Sequence, residues 1–428
     1  MSAAGVKSAV WPLEMAPAVW YNHYNNTRYT RREVIALKVV DLRNVFTDCN
    51  DVLIEISDTV IYYAEEKTEE GHRSLFLLAY NRVTHRERII ANYFLTDPAF
   101  VQHYFSFPDD IVVVMESGGS EAWVLRVDKQ TGEERNFAKL NFIGSFQDCR
   151  ALDELHVLFY TGPNDRHGAL FGEYKKLTGF SRAAYLYDLE EGRYYYARDP
   201  RVCGADSSRF IPYRQDGEPR LLLLDPHGSE EDKLKCFHNM RWLGDGVSDN
   251  VWECPLFDFI VSVKSGEPSI PLELILSAGT PGLVRYAGMD DRNLYFRAKY
   301  FPTGDQRLCA VDRRTGKKSV AARLTLSGEE KPAWFSIDAE GGRVYRVCDK
   351  DDDSFQVTGV LNSSLDAAYP KELGRFVTCV DDRFILAQYI LSDETDSFEF
   401  NSIYDVQTGT QKNYECRCAV KGENVVLY

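Results

Sequence analysis

Leu308-Cys-Ala-Val-Asp-Arg-Arg-Thr-Gly-Lys317 reads as an apolar strand, a tight turn opened by Asp312 and closed by Gly316, and the start of a returning strand. Three further stretches share the pattern: Asp128-Lys-Gln-Thr-Gly132, Asp188-Leu-Glu-Glu-Gly192 and Asp405-Val-Gln-Thr-Gly409. An Asp carboxylate accepts hydrogen bonds from the amides of its own turn, and Gly supplies the left-handed backbone that a longer hairpin loop requires. Degenerate copies at Ser262 to Gly266, Tyr80 to His85 and Leu361 to Leu365 extend the series.

Between these turns lies a second kind of hairpin, rich in Asp, Gly and Asn at its tip and followed by a β-branched or aromatic run. Eight candidates occur, at Ser57-Asp58, Asp109-Asp110, Asp153-Glu154, Asp216-Gly217, Asp290-Asp291, Glu340 to Gly342, Asp381-Asp382 and Gly422-Glu423. Runs such as Ile111-Val-Val-Val114 and Leu221-Leu-Leu-Leu224 are too short for core helices and fit buried strands. Two alternating hairpins make a four-stranded unit, strands a to d, which is the blade of a β-propeller. The expectation is therefore an all-β chain, residues 1–428 forming a single propeller of eight blades, with seven as the alternative. The a–b hairpin of Arg417 to Tyr428 has no c–d partner after it, and Trp20 to Ile35 echoes the c–d stretch Tyr80 to Ile90. Residues 10–40 are thus expected to complete the blade begun by 415–428, closing the ring and removing its free edge.

An apolar strand leading into Asp-x-x-Thr-Gly, as in Leu308 to Lys317 and Ile403 to Gly409, resembles the repeat of quinoprotein-like propellers and, more generally, WD40-like repeat architecture. The resemblance covers the c–d hairpins alone and implies architecture. Those families follow the Gly with a docking tryptophan, whereas Lys317 to Ala321 and Thr410 to Tyr414 contain none, so no quinone or other cofactor is expected.

The chain carries 50 basic and 65 acidic residues, a net charge of −15, which disfavours nucleic acid and anionic membranes as partners. Met1 to Ala9 holds no apolar run of the kind a secretory signal needs, and a cytoplasmic location is expected. Its ten cysteines and eight histidines fall at no metal-ligand spacing, so no metal site is expected. Asp349 to Asp353 lacks the glycine and glutamate of a calcium loop, since Ser354 and Val360 stand at those positions.

Long connections mark where a site could lie. The b–c connections Thr161 to Arg182 and Pro226 to Asn250 are oversized and fall in neighbouring blades on one face. The first mixes Arg166, His167, Phe171, Tyr174, Lys175 and Lys176 with several glycines and reads as a mobile, locally basic loop, either gripping an acidic peptide or merely solvated. The second reads as a short helix capped by Ser229 and ended by Gly244. It is either a lid packing Leu234, Phe237 and Met240 or a docking helix presenting Trp242. The d–a connection Asp199 to Arg209 is expected to run towards the mouth of the central channel, where Asp199, Arg201, Asp206 and Arg209 are candidate catalytic groups.

Two functions follow. The first is a non-catalytic scaffold binding a protein or peptide, with acidic character the natural complement of the basic loop, on the face carrying the long b–c connections. The alternative is an intracellular hydrolase or lyase acting on a sugar or peptide at the channel mouth. Oligomeric state is not legible, and fold alone decides neither function.

Overall fold

In the computed structural model of the chain, the turn aspartates adopt the role their chemistry dictates. Asp128 accepts from the amides of Gln130 (2.8 Å) and Thr131 (2.7 Å), Asp188 from Glu190 and Glu191 (both 2.8 Å), and Asp312 from Thr315 (2.9 Å). The closing glycines 132, 192, 316 and 409 all have φ between 64° and 75°, the region that glycine enters without steric cost. The structure describes residues 37–428 except 44–51, 58, 96–98, 118, 120, 165, 181, 228–247, 279–281, 301–302, 325–332, 339–341, 393–396 and 422–423.

Seven sheets each hold four consecutive antiparallel strands. Blade 1 runs from Val52–Ile56 to Arg86–Leu95, blade 2 from Phe100–Ser106 to Glu134–Asn141, and blade 3 from Ser145–Ala151 to Arg193–Tyr196. Blade 4 runs from Phe210–Gln215 to Glu273–Ser277, blade 5 from Gly282–Met289 to Lys318–Arg323, blade 6 from Ala333–Asp338 to Asp366–Pro370, and blade 7 from Arg375–Val380 to Thr410–Tyr414. Blade 8 joins Cys418–Lys421 and Asn424–Leu427 to Lys38–Asp41, so strands from both ends of the chain close the ring of a β-propeller. Lys38–Asp41 pairs parallel to Asn424–Leu427, whereas the c strand of an up-and-down blade would run antiparallel. The Trp20 to Ile35 stretch expected to supply that hairpin lies outside the described residues.

Burial explains why the runs are continuously apolar. In blade 2, Ile111, Val113 and Met115 pack against blade 1 while Val112 and Val114 pack against blade 3, because alternate side chains leave opposite faces of a strand and both faces are covered. Eight such buried clusters fall one at each blade-to-blade interface, the last uniting Leu42 and Val426 with Leu53, Ile61 and Tyr63 of blade 1. Eight blades, not seven, therefore complete the circle.

Three expectations change. Thr161 to Arg182 is no mobile loop: it contains helix α1, Gly168–Thr178. The link from blade 3 to blade 4 contains the short helix α2, Pro200–Gly204, wedged between those blades. Ser262 to Gly266 is not a c–d hairpin but the end of helix α3, Leu256–Lys264, which interrupts blade 4 between its third and fourth strands. Leu256, Phe259, Ile260 and Val263 lie at the i, i+3, i+4, i+7 spacing of one helical face, and burying that face against blade 3 outweighs a weak turn signal. The b–c and d–a connections, with α1, define an upper face; the a–b and c–d connections, with α3, define a lower one.

Candidate functional site

Helix α1 follows from local chemistry. The Asn164 side chain accepts from the amides of Arg166 (3.2 Å) and His167 (3.0 Å) just before the helix, and Gly179, at φ 83°, ends it by donating to Lys175 O (2.8 Å). Its underside is fixed by Phe171, Tyr174 and Thr178. Phe171 lies on Gly144, and a Cβ on Gly144 would come within 2.2 Å of Gly162 O and 2.5 Å of the Phe171 ring. The Tyr174 hydroxyl donates to Ala197 O and sits 3.2 Å from Cys203 Sγ, and burial pushes its pKa well above the ordinary tyrosine value. The Gly144 amide donates to His167 Nδ1 (3.2 Å). Of the predicted ligand contacts, His167, Phe171 and Tyr174 therefore hold α1 to the ring, while Arg166 is exposed.

The outer side of α1 is different. Leu170 and Leu177 are 50% and 77% exposed, seven residues apart and thus about 10 Å along the axis, with the exposed Glu173 between them at i+3 and i−4 and with Lys175 and Lys176 exposed further round the helix. The segment 163–182 holds four Lys or Arg against two Asp or Glu, on a chain of net charge −15. Sequence reading had found the basic residues but not the leucines, which become visible as a stripe only once the helix is known. A second upper-face elaboration was missed altogether: strands Val60–Glu69 and His72–Asn81 of blade 1 stay paired over ten residues each and end in a tight hairpin.

The d–a candidates separate into two groups. Asp199, only 1% exposed, caps α2 by accepting from Arg201 N (2.9 Å), pairs with the Arg201 guanidinium (2.6 Å) and accepts from Ile270 N (2.8 Å). Arg201 also lies over the Trp252 ring and donates to Ile270 O. These two side chains tie the outer strands of blades 3 and 4 together, away from the channel mouth. Asp206 and Arg209, 3.6 Å apart, lie at the start of the innermost strand of blade 4.

Beside them the channel wall carries a chain of polar contacts spanning three blades. His103 Nε2 lies 3.2 Å from Asp148 Oδ1, and the Ser207 hydroxyl donates to Asp148 Oδ2. β-Bulges at Gln102 and Gln147, one residue before His103 and Asp148, re-aim both side chains. Burial raises the Asp148 pKa, but the hydrogen bonds from His103 and Ser207 outweigh it and hold the carboxyl below its usual value. Asp148 stands at the centre, so the serine hydroxyl is committed to a carboxylate and does not bond the imidazole. A nucleophile–base–acid relay needs the opposite order.

Phe237 and Trp242 lie outside the described residues. Among the described residues no three His, Cys, Asp or Glu side chains are grouped to hold a metal ion, and no helix is long and apolar enough to cross a membrane.

No known family model and no curated protein matches the chain. Among solved structures it is similar to an uncharacterized protein from Listeria monocytogenes (11% identity, 89% of this chain and 97% of that one, TM-score 0.44). It is also similar to the β-propeller domain of the Trilobed protease from Pyrococcus furiosus (10% identity, 85% and 92%, TM-score 0.38). A third is an oligogalacturonate lyase solved with manganese (13% identity, 82% and 84%, TM-score 0.39). At this identity the likeness extends to architecture alone.

Proposed function

We propose that the protein is a non-catalytic scaffold that binds a protein or peptide on its upper face, with α1 as the principal contact. The observation carrying this reading is that α1 is anchored through Phe171, Tyr174 and Thr178 while Leu170 and Leu177 stay in solvent. Rigid presentation lowers the ordering cost of association, and apolar side chains ringed by charge are the usual core of a protein contact. Arg166, Lys175 and Lys176, exposed elsewhere on the same net basic segment, favour a partner that combines Leu-like side chains against Leu170 and Leu177 with Asp or Glu flanking them. The serine–aspartate–histidine contact on the channel wall is ordered around its carboxylate, which is not the order of a nucleophile–base–acid relay.

The test is affinity capture with the intact chain and with a Leu170→Asp, Leu177→Asp variant of unchanged melting temperature, the captured proteins being identified and rebound in purified form. A purified partner that binds the intact chain and loses at least about tenfold in affinity for the variant supports the scaffold reading. A partner that binds both forms equally, or no partner, overturns it.

A further inference from the structure

Among the described c–d connections, that of blade 4 is the one where a tight turn is replaced by a helix. Nothing in the ring requires it, since the other described c–d connections close their blades without one. Helix α3 buries Leu256, Phe259, Ile260 and Val263, yet leaves Phe257 72% and Val261 43% exposed, one turn apart on its outer side. Its position is fixed at the far end, where Lys264 donates to Asp188 and Glu191 of blade 3. Leu256 also lines a small recess of about 110 Å³ at the lower end of blades 2 to 4, walled by Phe107, Pro108 and Pro219 with Asp153 and Glu154. One cation, Arg214, reaches that recess, and it donates to Gly217 O. Asp258 follows Phe257 on the exposed side of the helix.

We propose that the lower face of blades 3 and 4 is a second docking surface, for a basic segment of a partner protein that sets an apolar side chain against Phe257 and Val261 beside the recess. Charge complementarity selects the occupant: Asp258 is exposed one turn before Val261, and Asp153 and Glu154 line the recess that Leu256 reaches, on a chain of net charge −15, whereas the segment carrying Leu170 and Leu177 is net basic. A ring with unlike faces presents two different partners on opposite sides and so serves as an adaptor between them.

The experiment is a fluorescence-anisotropy titration of the full chain against a short fluorescein-labelled peptide of lysine and phenylalanine, with a glutamate-for-lysine analogue as control. The lysine peptide is expected to bind, to weaken by at least about tenfold in a Phe257→Ser, Val261→Ser variant, and to weaken further with added salt. A Glu154→Gln, Asp258→Asn variant should weaken it while leaving the apolar contact intact. Both variants alter exposed or half-buried side chains, and an unchanged melting temperature confirms their fold. Equal affinity for the Phe257→Ser, Val261→Ser variant would assign the attraction to diffuse negative charge and overturn the proposal. Tight binding of the glutamate analogue, or no binding of the lysine peptide, would overturn it too. Leu170→Asp and Leu177→Asp lie on the other face and should leave this titration unmoved, so it fails or succeeds independently of the α1 reading.

Discussion

Lys264, the last residue of α3, donates to Asp188, the residue that opens the c–d turn of blade 3, and 2.7 Å away it also meets Glu191. One ammonium thus locks the helix inserted in blade 4 onto its neighbour. Asp188 is buried and also lies 3.2 Å from His156 Nε2. Burial raises the Asp188 pKa, but the bonds from Lys264 and the Glu191 amide, with His156 nearby, keep it below the ordinary carboxylate value. Replacing Lys264→Met should cost about 1–3 kcal/mol at neutral pH, measured by urea unfolding. A depressed carboxylate contributes stability above its unfolded pKa of about 4 and loses that contribution as pH falls through the folded value. The gap between wild type and variant should therefore narrow below about pH 4, and a gap constant with pH would remove the pair from this role.

Asp199 and Asp206 make a contrasting pair within one connection. Asp199→Ala leaves the Arg201 guanidinium and the Ile270 amide without their carboxylate in a sealed interface, and a loss of about 3–5 kcal/mol is expected. Asp206 is half-buried, with its carboxyl open to solvent, and holds only the Ser208 hydroxyl and a long contact to Arg209, so Asp206→Ala should stay within about 1 kcal/mol of wild type. Thermal melts of the two variants decide the matter. Similar losses would mean that the connection is held as a unit.

The turn aspartates were legible in the sequence because a turn is local: Asp128 bonds amides two and three residues on, and no distant contact is needed to specify it. Helix α3 was equally written there, in the spacing of Leu256, Phe259, Ile260 and Val263, yet a repeat pattern laid over the chain turned Ser262 to Gly266 into one more hairpin. The role of Asp199 could not have been read, since it depends on Ile270, seventy-one residues away, arriving at its carboxylate. The exposed stripe of α1 falls between these cases. Leu170 and Leu177 are plain in the sequence, but only the burial of Phe171 and Tyr174 tells which side of the helix is left over.

Gly144 tests how firmly α1 is held. Its φ of 96° and its approach to Gly162 O and the Phe171 ring exclude a side chain, so Gly144→Ala must displace the helix or strain the backbone. A loss of about 1–3 kcal/mol is expected. Limited proteolysis should also show faster cleavage between residues 163 and 182. A variant as resistant as wild type would mean that α1 is retained by Tyr174 and Thr178 without Phe171.

Glu253 gives the ring a second pH dependence of opposite sign. It stands directly opposite Glu273 on neighbouring strands of blade 4, an arrangement that disfavours two charges. The Tyr213 hydroxyl and Arg220 Nε both donate to its Oε1, the latter at 2.7 Å. Burial first, and Glu273 second, push its pKa up to about 7, while Arg313 pulls it down. Arg220 also favours the charged form, but it engages a single oxygen already shared with a phenol, so the net direction is upward. A carboxyl whose pKa is raised from 4.5 on folding contributes stability that is complete below the unfolded value and lost as pH rises through the folded one. Wild type should therefore lose stability between about pH 5 and about pH 8. Glu253→Gln keeps an acceptor for Tyr213 and Arg220 but cannot ionise, and its melting temperature should fall less over the same interval. Equal falls in both proteins would show that Glu253 stays charged against Arg220 and that the dependence arises elsewhere.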